Sequence, residues 1–345
     1  MIKMGGNMWT ITRRYFLLAF LLVFAYTGAL AQKLSLFDRI SEAIDLELEL
    51  VTDLKMLQGQ RNSNTYQEAT LSYRLDKKQE ESWNIHLRSR GKYRRRVCVF
   101  PPIKLKFSKE ELKARGLNSD NEFKLVTHCV EGDAGKDYIL REFLAYKLFE
   151  EIAPVHFKAQ YVKVRYKDSK SSDRLSAWGI LLEDEKALER RSKGEICSNC
   201  FNLPKSGFDL EQLKRVYLFE YLIGNTDWNT AMVRNLLLIQ PKAGAGAVLV
   251  PYDFDFSGFV NASYALPNQD YQQKSVRDRV FLGSECTDAE LAPTIAYFRE
   301  KRPALEKIIS EFKLLSTVSR DDLMQYLDSF YRELESGTLR RPPAK

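Results

Sequence analysis

The chain has 345 residues, 44% of them hydrophobic and 12% aromatic, with 53 Lys and Arg against 46 Asp and Glu and a formal charge of +7. That composition carries a core for one large domain or two ordinary ones and excludes a low-complexity chain. Residues 1–31 are expected to be removed, which takes away Lys3, Arg13 and Arg14 with no acidic residue; the charge then falls to +4, too small an excess for a nucleic-acid-binding domain.

The N-terminal stretch "RRYFLLAFLLVFAYTGALAQ" has a positive flank at Arg13 and Arg14, an apolar run from Tyr15 to Tyr26, and Ala29-Leu30-Ala31 before Gln32. This is the pattern of a secretory signal cleaved after Ala31, and the run is short for a membrane span. An uncleaved anchor is the alternative, and no other transmembrane segment is expected. The reading makes the protein exported, periplasmic or extracellular. Disulfides are then permitted among Cys98, Cys129, Cys197, Cys200 and Cys286, with at least one cysteine left over or intermolecular. "CSNC" lacks a second pair at zinc spacing, which favours a local disulfide or buried thiols. Nothing pairs His86, His128 or His156 with a nucleophile.

From Gln32 to about Phe107 the pattern is extended. "IDLELELVTDL", "TYQEATLSYRL" and "SWNIHLRSR" alternate apolar and polar residues with the period of half-buried strands. The basic run "RSRGKYRRRVC" (88–98) reads as a solvated strand and turn, or as a surface for phosphate or another anion. "FPPIKLKF" breaks pairing at Pro101 and Pro102 before a strand. "SKEELKARG" predicts a short helix capped by Ser108, with Glu111 three residues on. "NEFKLVTHCV" is a strand, "GKDYILREFLAYKLFEEIAP" a helix stopped at Pro154, and "AQYVKVRYKD" and "SAWGILLEDE" two further strands.

After Glu185 the pattern turns helical. "DLEQLKRVYLFEYLIGN" runs from Asp209 to Gly224, and "RNLLLIQ" and "AVLVPYDFDFSG" form a hairpin across "PKAGAGA". Three amphipathic segments follow at 288–300, 302–315 and 319–336, then a disordered tail. The predicted organisation is a signal peptide (1–31), an N-terminal β-rich lobe (32–185), a C-terminal helical lobe (186–336) and the tail (337–345). That is a two-lobed α+β arrangement, its first lobe a mostly antiparallel sheet with one helix.

Within "VPYDFDFSG" (250–258), Asp253 and Asp255 sit in an apolar and aromatic run, where an unpaired buried carboxylate costs several kcal/mol. Upstream, the loop "GNTDWNTAMVRN" carries Asp227 and Asn235. A loop Asp, a downstream Asn and an Asp after a short hairpin are the minimum apparatus for phosphoryl transfer: one Asp accepts the acceptor hydroxyl's proton, while Asn and the second Asp offer magnesium its hard oxygen ligands. The bland alternatives are turn chemistry for "GNTDWN" and a calcium or salt-bridge site for "DFD".

"GNTDWN…RN…VPYDFD" resembles the catalytic region of the atypical protein-kinase-like families that include the spore-coat kinase CotH and the toxin kinase HipA. "RSRGKY", "PPIKLKF", "NEFKLV", "LREFLAYKLFEE" and "WGILLEDE" follow the order of CotH-like proteins, so the resemblance covers roughly residues 85–260. It implies a two-lobed kinase-like fold that binds ATP with magnesium or manganese and transfers phosphate to a protein, glycan or lipid acceptor. It implies Asp227 as catalytic base, Asn235 and Asp253 as metal ligands and Asp255 as a second ligand or support. Lys124 would bind phosphates and pair with Glu142, with Lys104 and Lys106 as rivals, and Glu183 would lie near the hinge. Two features depart from the pattern. The Asp227 to Asn235 spacing is eight where about five is usual, so an insertion loops out or Asn229 serves instead, and no GxGxxG appears. A non-catalytic binding or scaffold protein of the cell envelope is the alternative.

Overall fold

Alternation of apolar and polar residues in the first half of the chain builds strands that each bury one face. A computed structural model describes residues 33–43, 45–75, 80–242 and 244–342. The expected signal segment and residues 343–345 of the expected tail lie outside the described residues. Seven strands, β1 (Glu47–Thr52), β2 (Gln67–Arg74), β3 (Glu80–Ser89), β4 (Ile103–Phe107), β5 (Glu122–Val126), β6 (Ala159–Asp168) and β7 (Arg174–Leu182), close into a barrel in the order β1-β2-β3-β4-β5-β7-β6. Neighbours are antiparallel except β1 and β6, whose parallel pairing, from Glu47 with Lys163 to Thr52 with Asp168, completes the wall.

On β3, Trp83, Ile85 and Leu87 point inward at no more than 2% exposure, while Ser82, Asn84 and His86 are exposed. Leu48, Leu50, Leu71, Leu105, Phe123 and Val164 share that core, and helix α1 (Leu36–Ser41), capped by the Ser35 side chain, adds Leu36, Phe37 and Ile40. Each such side chain contributes about 1.5–3 kcal/mol on burial. Short helices α2 (Leu54–Gly59), α3 (Arg94–Val97) and α4 (Lys109–Ala114) connect the strands. At α4 the Ser108 hydroxyl accepts from the Glu111 N–H, the cap its sequence predicts.

Helix α5 (Gly132–Ile152) packs on the outer face of the barrel, where Ile139, Phe143 and Leu144 share a second core with Val126, Ile180 and Leu182. Helices α6 (Glu185–Ser192) and α7 (Leu210–Ile223) follow, with a small sheet ordered β10-β9-β8 from β8 (Gly194–Ile196), β9 (Leu236–Pro241) and β10 (Val248–Pro251). Helices α8 (Asp288–Ser310) and α9 (Thr317–Glu335) complete that core.

These observations correct the expected architecture. The strand-rich part is a closed seven-stranded barrel with one parallel seam, not the open sheet of a two-lobed kinase-like fold, and from Ser35 onward the chain is one compact unit. Segments 288–300 and 302–315 are largely one helix that runs through Pro293 and Pro303. A mid-helix proline costs about 3 kcal/mol, and burial of Leu291, Phe298, Leu305 and Ile309 outweighs it. Residues 337–342 are tied to the body rather than disordered: the Phe281 N–H donates to the Arg340 carbonyl at 2.7 Å, and Arg341 reaches Asp288 at 2.8 Å. Disulfides join Cys98 to Cys129 and Cys197 to Cys200, leaving Cys286 buried and free. No helix among the described residues is long and apolar enough to cross a membrane.

Candidate functional site

Helix α7 ends at Gly224, which takes a left-handed conformation (φ 64°) and turns the chain into the Asp227 loop. The Asn225 side chain then organises the loop: its amide donates to buried Glu220 at 2.9 Å and its carbonyl oxygen accepts the Asp227 N–H at 2.9 Å. Asn229 pairs with Arg234 through both backbone hydrogen bonds, and its side chain accepts the Met232 N–H. Residues 230–233 therefore loop out. Asn229 is spent on that turn, and Asn235 returns to Asp227, its amide donating to the Asp227 carbonyl at 2.6 Å and to Oδ2 at 3.1 Å. The eight-residue spacing is thus taken up by the turn closed between Asn229 and Arg234.

The hairpin brings the third residue alongside. The Tyr252 N–H donates to the Asn235 carbonyl at 3.1 Å. Strand β10 has already ended at Pro251, so the two aspartates leave a turn and do not share a strand face. Asp253 has φ 69°, and its N–H donates to the Tyr146 hydroxyl at 3.0 Å. Val233 and Asn235 also have positive φ, unusual for non-glycine residues and rarest for a β-branched one. Burial raises the pKa of Asp227, Arg234 opposes the shift and nearby Asp253 adds to it. Asp227, Asn235 and Asp253 thus come together, with the two aspartate side chains 39% and 38% exposed.

Beneath them lies a buried ionic cluster that the sequence did not reveal. Arg94 on α3 donates to the Thr127 carbonyl at 2.6 Å and faces three carboxylates: Glu142 at 3.4 Å, Asp255 at 3.7 Å and Asp253 at 3.9 Å. Glu142 and Tyr146 lie one turn apart on α5 and both face this cluster. Desolvation raises Glu142 to about 8 and Asp255 to about 7, against the pull of Arg94, with the neighbouring carboxylates adding to each shift. One oxygen each of Glu142 and Asp255 and the Arg94 Nε are buried without a hydrogen-bond partner. Asp255 is therefore placed as a buried partner of Arg94. Arg94 belongs to the basic run 88–98, and nothing in that run distinguishes the one arginine that turns inward.

The lysines fall differently from expectation. Lys124 pairs with Glu185 at 2.5 Å and Glu142 pairs with Arg94, which replaces the expected Lys124–Glu142 pair. Because β5 turns Phe123 and Leu125 inward, Lys124 faces out of the barrel, with its Nζ 4.9 Å from the ring centroid of Tyr252, the residue before Asp253. Desolvation, then Arg90, lowers its pKa. Lys104 is the cross-strand neighbour of Lys124 and pairs with Glu122 at 2.5 Å, whereas Lys106 is exposed beside Tyr66. Glu183 is buried, accepts the Lys158 N–H at 2.8 Å and pairs with Arg191, a brace between β7 and α6.

Among the described residues no group of three or more His, Cys, Asp or Glu is placed to hold a metal ion. The Asp253 carboxylate and the amide oxygen of Asn235 are hard donors at a partly open surface. Magnesium takes such oxygen donors one or two at a time and keeps its remaining ligands from water or a bound anion, so no all-protein cage is needed.

The cluster sets a pH dependence. A carboxyl group whose folded pKa exceeds its unfolded value of about 4 stabilises the fold when protonated, and that contribution is lost as pH rises through the folded value. For Asp255, Glu142 and Glu220, the last raised to about 8 by burial, the loss extends to about pH 7–8. His128 and His156, both lowered first by burial, act only below about 6.5. Unfolding temperature is expected to fall between about pH 6.5 and 8, with a flatter profile for Glu142→Gln. Equal slopes for the two proteins would show that Glu142 does not titrate there.

No protein family model matches the chain, and no curated protein matches it. Among solved structures the chain is similar to the Helicobacter pylori proinflammatory kinase CtkA, with 11% identity and a TM-score of 0.39, over 68% of this chain and 95% of that one.

Proposed function

We propose that this protein binds a magnesium or manganese complex of ATP over the Asp227–Asn235–Asp253 surface and transfers the terminal phosphate to a hydroxyl group. The observation that carries the reading is the return of Asn235 to Asp227 beside Asp253, above a buried acid cluster held by one arginine. Asp253 and Asn235 would hold the metal, which supplies charge neutralisation on the phosphates. Asp227, its pKa raised by burial, takes the acceptor hydroxyl's proton as the new oxygen–phosphorus bond forms and the bond to the bridging oxygen of ADP breaks. Arg94 keeps the carboxylates in place, while Lys124 and Arg90 supply positive charge at the barrel edge. The signal-like N-terminus and the two disulfides support an exported protein.

A non-catalytic envelope binding protein is the second reading, favoured by the Lys124–Glu185 pair, which occupies the lysine best placed to meet a phosphate. Calorimetric titration of ATP with magnesium or manganese into the chain from Gln32 onward separates the two. Metal-dependent binding that is lost in Asp253→Asn is expected. A folded protein that binds no nucleotide with either metal would sink the phosphotransfer reading.

A further inference from the structure

The basic run 88–98 divides around α3. Arg94 turns inward to the acid cluster, whereas Lys92 and Arg96 stand exposed with no side-chain hydrogen bond or ion pair among the described residues. Beside them Tyr93, Val97 and Val99 are 47%, 46% and 46% exposed. Three of the ten exposed large apolar side chains among the described residues thus fall within seven positions of one loop, a concentration that scattered surface residues would not give. Tyr93 and Val97 are one turn apart, the Val97 N–H donating to the Tyr93 carbonyl.

The loop is held rigidly, though four helical residues would not persist alone. Cys98 is bonded to Cys129, the Val99 N–H donates to the Cys129 carbonyl, and the Arg94 guanidinium is anchored at Thr127. From the outer side Arg61 reaches the Cys98 and Val99 carbonyls at 3.1 and 3.3 Å, and Arg95 the Ser63 carbonyl at 2.9 Å. Lys92, Arg95, Arg96 and Arg61 therefore surround or flank the apolar tip.

We infer that this loop docks on an anionic phospholipid surface, with Tyr93, Val97 and Val99 at the headgroup boundary and the cations on lipid phosphates. Charge complementarity selects an anionic partner, and the exposed apolar tip selects a bilayer over a soluble polyanion, which would leave that tip in water. The inference is independent of nucleotide binding.

Each basic side chain near such a surface strengthens partitioning about fivefold. The test is co-sedimentation of the chain from Gln32 onward with phosphatidylglycerol–phosphatidylcholine vesicles and with pure phosphatidylcholine; all described elements lie beyond that point. Binding is expected to favour the anionic vesicles and to weaken with salt. Lys92→Ser with Arg96→Ser should reduce it about 25-fold, and Tyr93→Ser with Val97→Ser should reduce it at every salt concentration. Equal partitioning to both vesicles overturns the proposal, as does an unchanged Lys92→Ser/Arg96→Ser protein. Equal affinity for soluble polyphosphate, unaffected by Tyr93→Ser/Val97→Ser, overturns it in favour of a soluble polyanion. Should either double variant fail to fold, the salt titration of the unsubstituted protein decides: binding that is insensitive to salt excludes this surface.

Discussion

At about pH 9, above the values of about 8 and 7 to which Glu142 and Asp255 are raised, Arg94→Met is expected to lower stability by about 3–5 kcal/mol, because it leaves buried carboxylates without their cation while keeping most of the side-chain volume. For a chain of this size that is on the order of 10 °C in unfolding temperature. The mechanism can be separated from lost packing. Glu142 and Asp255 lie 3.4 and 3.7 Å from the guanidinium, so adding Glu142→Gln and Asp255→Asn removes the uncompensated charge and should restore much of the loss. Thermal unfolding of the single and triple variants checks this. A triple variant no more stable than Arg94→Met would assign the loss to packing and to the hydrogen bond with the Thr127 carbonyl.

Asp227→Asn is expected to lower phosphotransfer by about 10²–10⁴-fold and to change nucleotide affinity only a few-fold. General-base catalysis contributes a factor of that size, and an amide oxygen can still accept the Asn235 hydrogen bond made at 3.1 Å. Asp253→Asn should behave in the opposite way, with affinity as the first casualty. Initial rates of phosphate transfer beside calorimetric affinities for both variants distinguish the roles. If Asp227→Asn abolishes binding as fully as Asp253→Asn, Asp227 is a binding group and another residue takes the proton.

Local pattern was the legible part of this sequence. The strands of the first half announce themselves by alternation, α4 by its Ser108 cap and α7 by Asp209 and Gly224 at its ends. Barrel closure was not legible, because pairing of Glu47 with Lys163 depends on a distant strand and leaves no local mark. Strand β8, three residues long, is too short to show a period. At the candidate site, the spacing of Asp227 and Asn235 left open whether Asn229 would serve; the Asn229–Arg234 backbone pair closes a turn that occupies Asn229 and returns Asn235 to Asp227. The inward turn of Arg94 was hidden because composition makes its run look solvated, and the partner assigned to Lys124 by resemblance is the one Arg94 takes. The expected break between 300 and 302 is absent, because the buried residues on either side of Pro303 that hold α8 together are a tertiary effect.

The parallel seam between β1 and β6 also governs how the chain acquires its shape. Strands β1 to β5 are threaded before α5, but none of them can complete the wall until β6 has been carried back to the first strand and β7 has filled the place between β5 and β6. Nascent chain that stops short of Ala159 leaves β1 with a bare edge, a template for pairing with other chains. Closure is thus a late, long-range event of the kind that slows folding. The first strand has to remain open for a partner more than a hundred residues downstream, so the ordering of the whole barrel waits until about half of the chain has been made.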